Sequence, residues 1–257
     1  MEPGGLLIQQ VSIGETYDLH NGTGISLKVY NRQDRPAAYR ISAHKPSAAG
    51  SGRWMPGYME IPDSSWLSFD KNEVTIEQQG VGEVNLYLKV PDDAVYYNQH
   101  WAVTVSIEGV ATPEEAIAMA AYLPFEIETE SREGTGKRPW GKIGVEPSML
   151  NFHAGKKQKI KIYNSSDKDH KYQIRVGVPP NTFPARRPGL SPGYGEIPEA
   201  SWIGISNKDI LIRQGKMIEV TVLLHLPEKL PAHGPWEAII WVESDDGDTA
   251  FARIDVN

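Results

Sequence analysis

Pro56-Gly57-Tyr58-Met59-Glu60-Ile61-Pro62-Asp63-Ser64-Ser65-Trp66 returns as Pro192-Gly193-Tyr194-Gly195-Glu196-Ile197-Pro198-Glu199-Ala200-Ser201-Trp202, identical at eight of eleven positions. Landmarks on both sides repeat in the same order. Tyr30-Asn31 corresponds to Tyr163-Asn164, and Tyr39 with Ile41 to Tyr172 with Ile174. Further on, Gln79-Gly80 matches Gln214-Gly215, Val90-Pro91 matches Leu226-Pro227, and Trp101 matches Trp236. The spacing drifts by a few residues only, so insertions and deletions fall between landmarks, where loops tolerate them. The repeat unit, at about 130 residues, far exceeds a solenoid repeat of roughly 20–50, and each copy is long enough to close a core of its own.

The 257 residues therefore divide into a first copy over 1–130, a connector over 131–139 and a second copy over 140–257. Glu130 to Pro139 is polar, carries glycine and lacks apolar periodicity, which is linker composition.

Within each copy, short runs rich in Val, Ile, Tyr and Trp alternate with polar residues and stop at Gly, Pro, Asn or Asp. That alternation predicts half-buried strands. The first copy offers Leu6–Ile13, Ile25–Tyr30, Ala38–Ala43, Trp66–Phe69, Val74–Glu77, Glu83–Val90, Trp101–Glu108 and Tyr122–Thr129. The second offers Ile143–Glu146, Lys159–Tyr163, Tyr172–Val176, Trp202–Ile205, Ile210–Arg213, Ile218–Leu226, Trp236–Val242 and Ala250–Val256. Seven or eight strands per copy predict an all-β chain of two tandem immunoglobulin-like antiparallel β-sandwiches, arising from an internal duplication. One element breaks the pattern. Thr112-Pro113-Glu114-Glu115 opens an alanine-rich stretch to Ala121, and the capping Thr, the Pro at the first helical position and the acidic first turn predict a short helix.

The second copy reads Ile143-Gly144-Val145-Glu146-Pro147, then Ala154-Gly155, Ile160-Lys161-Ile162-Tyr163-Asn164, Asp167, Tyr172-Gln173-Ile174, Gly215, Val220-Thr221-Val222 and Pro227. This order resembles the prokaryotic immunoglobulin-like domains of cell-surface and periplasmic proteins, including pilus-chaperone-like and major-sperm-protein-like sandwiches. The resemblance spans both copies as a pattern of strands and turns. It implies a binding or assembly scaffold without catalysis, in an extracellular, cell-surface or periplasmic setting. No position matches the basic anchoring residues of pilus chaperones.

The repeated segment has two readings. In one, Gly and Pro fix a bend, Ile61 and Trp66 enter the core and Tyr58 covers a sandwich edge. In the other, Trp54, Tyr58, Phe183 and Tyr194 present aromatic surfaces to a sugar or a protein. Upstream lie two dissimilar loops, the flexible Ser47-Ala48-Ala49-Gly50-Ser51-Gly52 and a stiff, basic one with Pro184, Arg186, Arg187 and Pro188. Such loops are where sandwiches place binding residues. In the inserted helix, Ile117 and Met119 are expected to contact the other domain or another subunit.

Other chemistry is thin. Twenty-six Lys and Arg against 33 Asp and Glu give a net charge of −7, with no basic surplus to neutralise a nucleic acid. No apolar run reaches the ~20 residues of a membrane helix, and the N-terminal residues lack signal-peptide character. Without Cys there is no disulfide, thiolate nucleophile or Cys-ligated zinc. Gly134-Thr135-Gly136-Lys137 lacks the first glycine of a phosphate loop. The seven His are scattered, and no metal or cofactor is expected. Asp245, Asp246 and Asp248 are read as a solvated hairpin turn in preference to a calcium site. Asn21-Gly22-Thr23 and Asn164-Ser165-Ser166 fit glycosylation acceptors. The sequence thus points to a non-enzymatic assembly or adhesion protein with protein partners, itself among them, and the alternative is a carbohydrate- or cell-wall-binding module.

Overall fold

The computed structural model describes residues 1–50, 54–111, 119–135, 140–152, 157–177, 188–227 and 234–256. They form two compact units. The first comprises Met1–Trp54, Met59–Asp92 and Trp101–Glu128; the second takes Met55–Tyr58, Asp93–His100 and Thr129–Asn257.

Among the described residues eleven strands precede the connector: β1 (Leu6–Val11), β2 (Thr16–Asp18), β3 (Leu27–Tyr30), β4 (Ala37–His44), β5 (Met59–Glu60), β6 (Leu67–Phe69), β7 (Glu73–Ile76), β8 (Val81–Val84), β9 (Leu86–Lys89), β10 (His100–Gly109) and β11 (Ala120–Thr129). Ten follow: β12 (Ile143–Glu146), β13 (Met149–Phe152), β14 (Lys157–Asn164), β15 (His170–Val176), β16 (Gly195–Glu196), β17 (Ile203–Ile205), β18 (Asp209–Ile212), β19 (Met217–Leu224), β20 (Trp236–Ser244) and β21 (Thr249–Val256). Among the described residues one short α-helix, α1 (Leu19–Thr23), is capped by the Asp18 carboxylate on the Asn21 amide.

The main sheets share one plan. β1-β11-β10-β4-β7 carries β5 beside β10, and β13-β21-β20-β15-β18 carries β16 beside β20. Pairing is mainly antiparallel, but β13 runs parallel to β21, as β5 does to β10 and β16 to β20. The second unit's other sheet is β12-β14-β19-β17, and its core draws on both sheets, with Ile160, Ile162, Val220 and Val222 meeting Tyr172, Ile174, Ile240 and Ile254. The two-layer sandwich follows from that alternation. In the first unit the counterpart is split into β2-β9-β6 and β3-β8. The single strand expected over Glu83–Val90 breaks at Asn85, whose amide and side chain bond to the Asp70 carboxylate.

Two expectations are corrected here. The helix predicted to run through Ala121 does not include Met119, Ala120 or Ala121, because β11 begins at Ala120 and the Met119 carbonyl accepts the Gly109 amide at 2.9 Å, continuing the hairpin ladder. Residues 112–118, with Ile117, lie outside the described residues. Asn164 is fully buried and spends its amide on main-chain carbonyls, so it is no glycosylation acceptor in the folded chain.

Candidate functional site

β20 and β21 pair from Trp236↔Val256 to Glu243↔Thr249. Even-numbered residues such as Ile240, Val242, Ala252 and Ile254 face the sandwich core. The opposite face carries Glu237, Ile239, Trp241, Phe251, Arg253 and Asp255, and these are buried as well. A strand buried on both faces reads as a continuous run instead of an alternation. The far face therefore has a cover of its own.

Part of that cover is the first copy of the repeated segment. Gly57, at φ +85°, donates its amide to Thr249 Oγ1 at 2.8 Å, and a Cβ on it would lie 2.5 Å from Phe251 Cδ1. Only glycine fits so close an approach at positive φ. Tyr58, 4% exposed, sets its ring edge-on to Phe251 at 5.4 Å. His100 stacks on the same ring at 3.8 Å and 5°, and Trp241 lies parallel to it at 6.0 Å.

The second copy of the segment closes the other end of the ladder. Glu237 and Asp255 are direct cross-strand neighbours. Glu237 accepts the Arg253 guanidinium at 2.7 Å, the Ser191 hydroxyl at 2.6 Å and the Ser191 amide at 3.0 Å. Burial, then the Glu237 charge, push the Asp255 carboxyl up to about 6 against the pull of Arg253 and Tyr194. The repeat-equivalent tyrosines Tyr58 and Tyr194 thus meet one face of one hairpin.

Beside this layer is an open concavity of about 1180 Å³, bordered by Pro56, Gln173, Leu211, Trp241, Glu243 and Thr249 among others. β18 ends its sheet, and Leu211 on it is 59% exposed. The hairpin turn at the rim gathers His170, Asp245 and Asp246, whose donor atoms lie within 4.8 Å of one another. Those charges are already met: His170 Nδ1 lies 2.6 Å from Asp245, Lys168 Nζ 3.0 Å from Asp246, and Lys142 Nζ 3.3 Å from Asp248. The turn is an ion-paired hairpin, and spacing along the sequence did not reveal that His170 joins it.

The structure disperses the residues singled out from sequence. Of the two readings of Tyr58, its burial against Phe251 fits the one in which it covers the sandwich and not an exposed aromatic surface. Trp54 and Tyr194 are half-buried, and Met119 is 81% exposed. Phe183, Arg186 and Arg187 lie outside the described residues. The charged pair Glu237 and Arg253 was missed, since one strand of alternating Glu, Ile and Trp does not show that its polar face is covered. The segment read as a connector is tied down: Asn98 Oδ1 accepts the Ser131 hydroxyl and the Arg132 amide, and Glu146 accepts the Gly134 amide. Burial pushes Glu146 up, but Lys161, the Gly134 amide and the Tyr163 hydroxyl outweigh it and hold the carboxyl below its usual range.

No family profile matches the sequence, and no curated protein matches it. Solved structures do. A Porphyromonas gingivalis W83 protein of unknown function is 13% identical, over 100% of this chain and 97% of that one, at a TM-score of 0.38. The CsuC-CsuE chaperone-tip adhesion subunit complex of Acinetobacter baumannii gives 8% identity, 99% and 97% coverage and a TM-score of 0.34. The PapD-like domain 7 of human CEP192 gives 13%, 51% and 83%, and 0.35. Among the described residues no helix is long and apolar enough to cross a membrane.

Proposed function

We propose that this chain is a non-enzymatic assembly protein, built from two tandem immunoglobulin-like modules that descend from one duplicated ancestor, and that it binds a protein partner at the free edge of β18. The observation that carries the reading is the exposed Leu211 on an edge strand beside a concave surface. An edge strand offers unpaired amides and carbonyls to an incoming extended segment, and the adjoining concavity receives its side chains. The surroundings mix Lys171 and Arg175 with Asp209 and Glu243, which favours a register-specific polypeptide over a uniformly charged polymer. The sequence resemblance supports a scaffold acting at a cell surface or in a periplasm.

The duplication is supported by matching details. Trp66 meets Trp101 edge-on at 5.4 Å, as Trp202 meets Trp236 at 6.0 Å. The Ile61 amide bonds to the Ala102 carbonyl and the Ile197 amide to the Glu237 carbonyl, each at 3.0 Å.

Placing a charge on the edge, as Leu211→Lys, tests the reading. Light scattering on protein purified from its native host is expected to show a complex with wild-type protein and only the free chain with the variant. A complex of unchanged mass with Leu211→Lys would refute binding at β18.

A further inference from the structure

The Ile174 amide bonds to the Lys208 carbonyl at 2.7 Å, and the ladder of β15 and β18 continues through Tyr172↔Ile210 and His170↔Ile212. Bonded and unbonded pairs alternate in an antiparallel ladder, so Gln173↔Asp209 and Lys171↔Leu211 are unbonded, and Asp209 and Leu211 turn their amides and carbonyls to the free edge. Arg213 follows on the same side and opens the next turn, its carbonyl accepting the Lys216 amide at 3.0 Å. Asp209, Leu211 and Arg213 are all exposed, and among the described residues neither charged side chain has a hydrogen bond or ion pair. Along the free edge the order is acid, apolar, base, with Leu211 at its centre.

That order is self-complementary. We propose that the free edge of β18 pairs antiparallel with the same edge of a second copy of this chain, across a two-fold axis at Leu211. The two Leu211 residues then form a bonded main-chain pair with their side chains side by side. Asp209 of each copy faces Arg213 of the other, and on the core side Ile210 of each copy faces Ile212 of the other. A two-fold contact needs only one patch that matches itself, and this strand is such a patch. The proposal deepens, and rests on, the reading that β18 binds through its free edge.

The equivalent edge in the first unit has the opposite character. There the Ile41 amide bonds to the Asn72 carbonyl at 2.8 Å and the Glu77 carbonyl accepts the Gly80 amide at 3.0 Å, so β7 carries exposed Glu73, Thr75 and Glu77 along its free edge. Antiparallel pairing about Thr75 would set Glu73 against Glu77 at both ends, and like charges opposite each other repel. Pairing β18 with β7 would set Asp209 against Glu77. The edge of β18 matches itself, and the edge of β7 repels itself.

A seam five residues long is at the small end of protein interfaces, so a dissociation constant of roughly micromolar or above is expected. Sedimentation velocity of the purified full chain, from about 1 to about 300 µM, reads the dimer directly. Wild type is expected to pass from monomer to dimer across that range. Arg213→Asp and Asp209→Lys each bring like charges together and are expected to weaken dimerisation about tenfold or more. Mixed in equal amounts, the two variants are expected to regain the dimer, since opposite charges then meet at both ends. All the substituted side chains are exposed, so the fold is expected to survive. A wild type that stays monomeric throughout overturns self-pairing, and so does a dimer that both variants keep. Either result is separate from edge binding itself, which fails only if native material keeps its complex in Leu211→Lys.

Discussion

Asn31 and Asn164 share three side-chain hydrogen bonds, each made at the same place in its own unit. Asn31 Nδ2 donates to the Arg35 and Ile76 carbonyls at 2.7 and 3.0 Å, and Oδ1 accepts the Gln33 amide at 3.0 Å. Asn164 Nδ2 donates to the Lys168 and Ile212 carbonyls at 2.8 and 2.9 Å, and Oδ1 accepts the Ser166 amide at 3.0 Å. Each Asn closes the turn after its strand and ties that turn to the edge strand of the other sheet.

Asn31→Ala and Asn164→Ala should therefore behave alike. Each leaves buried main-chain groups unsatisfied, at a cost of about 1–3 kcal/mol. Chemical denaturation of the two variants checks this, and a loss confined to one of them would contradict the equivalence.

Gly57 and Gly193 should not behave alike, although both sit at positive φ in the repeated segment. Nothing lies within 4 Å of a Cβ on Gly193, so Gly193→Ala costs only backbone strain, about 1–2 kcal/mol. Gly57→Ala also drives a methyl into Phe251, and about 2–5 kcal/mol is expected. Thermal melts of the pair read the difference, and equal losses would mean that Gly57 is not pressed on that ring.

Asp255 makes stability depend on pH. Its carboxyl is raised to about 6 in the folded chain from 3.8, so folding favours the protonated form. The associated stability is present below the unfolded value and is lost as pH rises through about 6. Asp255→Asn is expected to stabilise the protein by ~1–3 kcal/mol at about pH 8 and to bring no gain at about pH 3. Urea unfolding across that range measures it, and a gain independent of pH would contradict the assignment.

Arg253→Met leaves Glu237 and Asp255 buried together without their cation. Removing one partner of a buried pair costs roughly 3–5 kcal/mol. Adding Glu237→Gln and Asp255→Asn to Arg253→Met should restore part of that loss. A triple variant no more stable than Arg253→Met would show that the arginine acts through packing on Phe251, over which its guanidinium lies at 5.5 Å.

The strand pattern was legible because most strands present one face to a core and the other to water. Val74–Glu77 and Ile210–Arg213 are of this kind, and both appear within a residue of their expected bounds. β13 was not legible, since Met149–Phe152 is too short and follows Pro147 too closely to show a period. The two readings of Tyr58 could not be separated from sequence for a different reason. Its partners Phe251 and His100 lie far along the chain, and whether an aromatic at a bend is covered is decided by packing that no local spacing records. Glu237 and Arg253 escaped notice because pairing across β20 and β21 brings them together, and neither residue is unusual on a strand.

A photo-crosslinking residue in place of Leu211, introduced in the native host, tests edge binding most directly. The account predicts one protein partner captured at position 211, and none captured from the corresponding edge of β7 at Thr75. Capture at Thr75 alone, or at neither position, would contradict it.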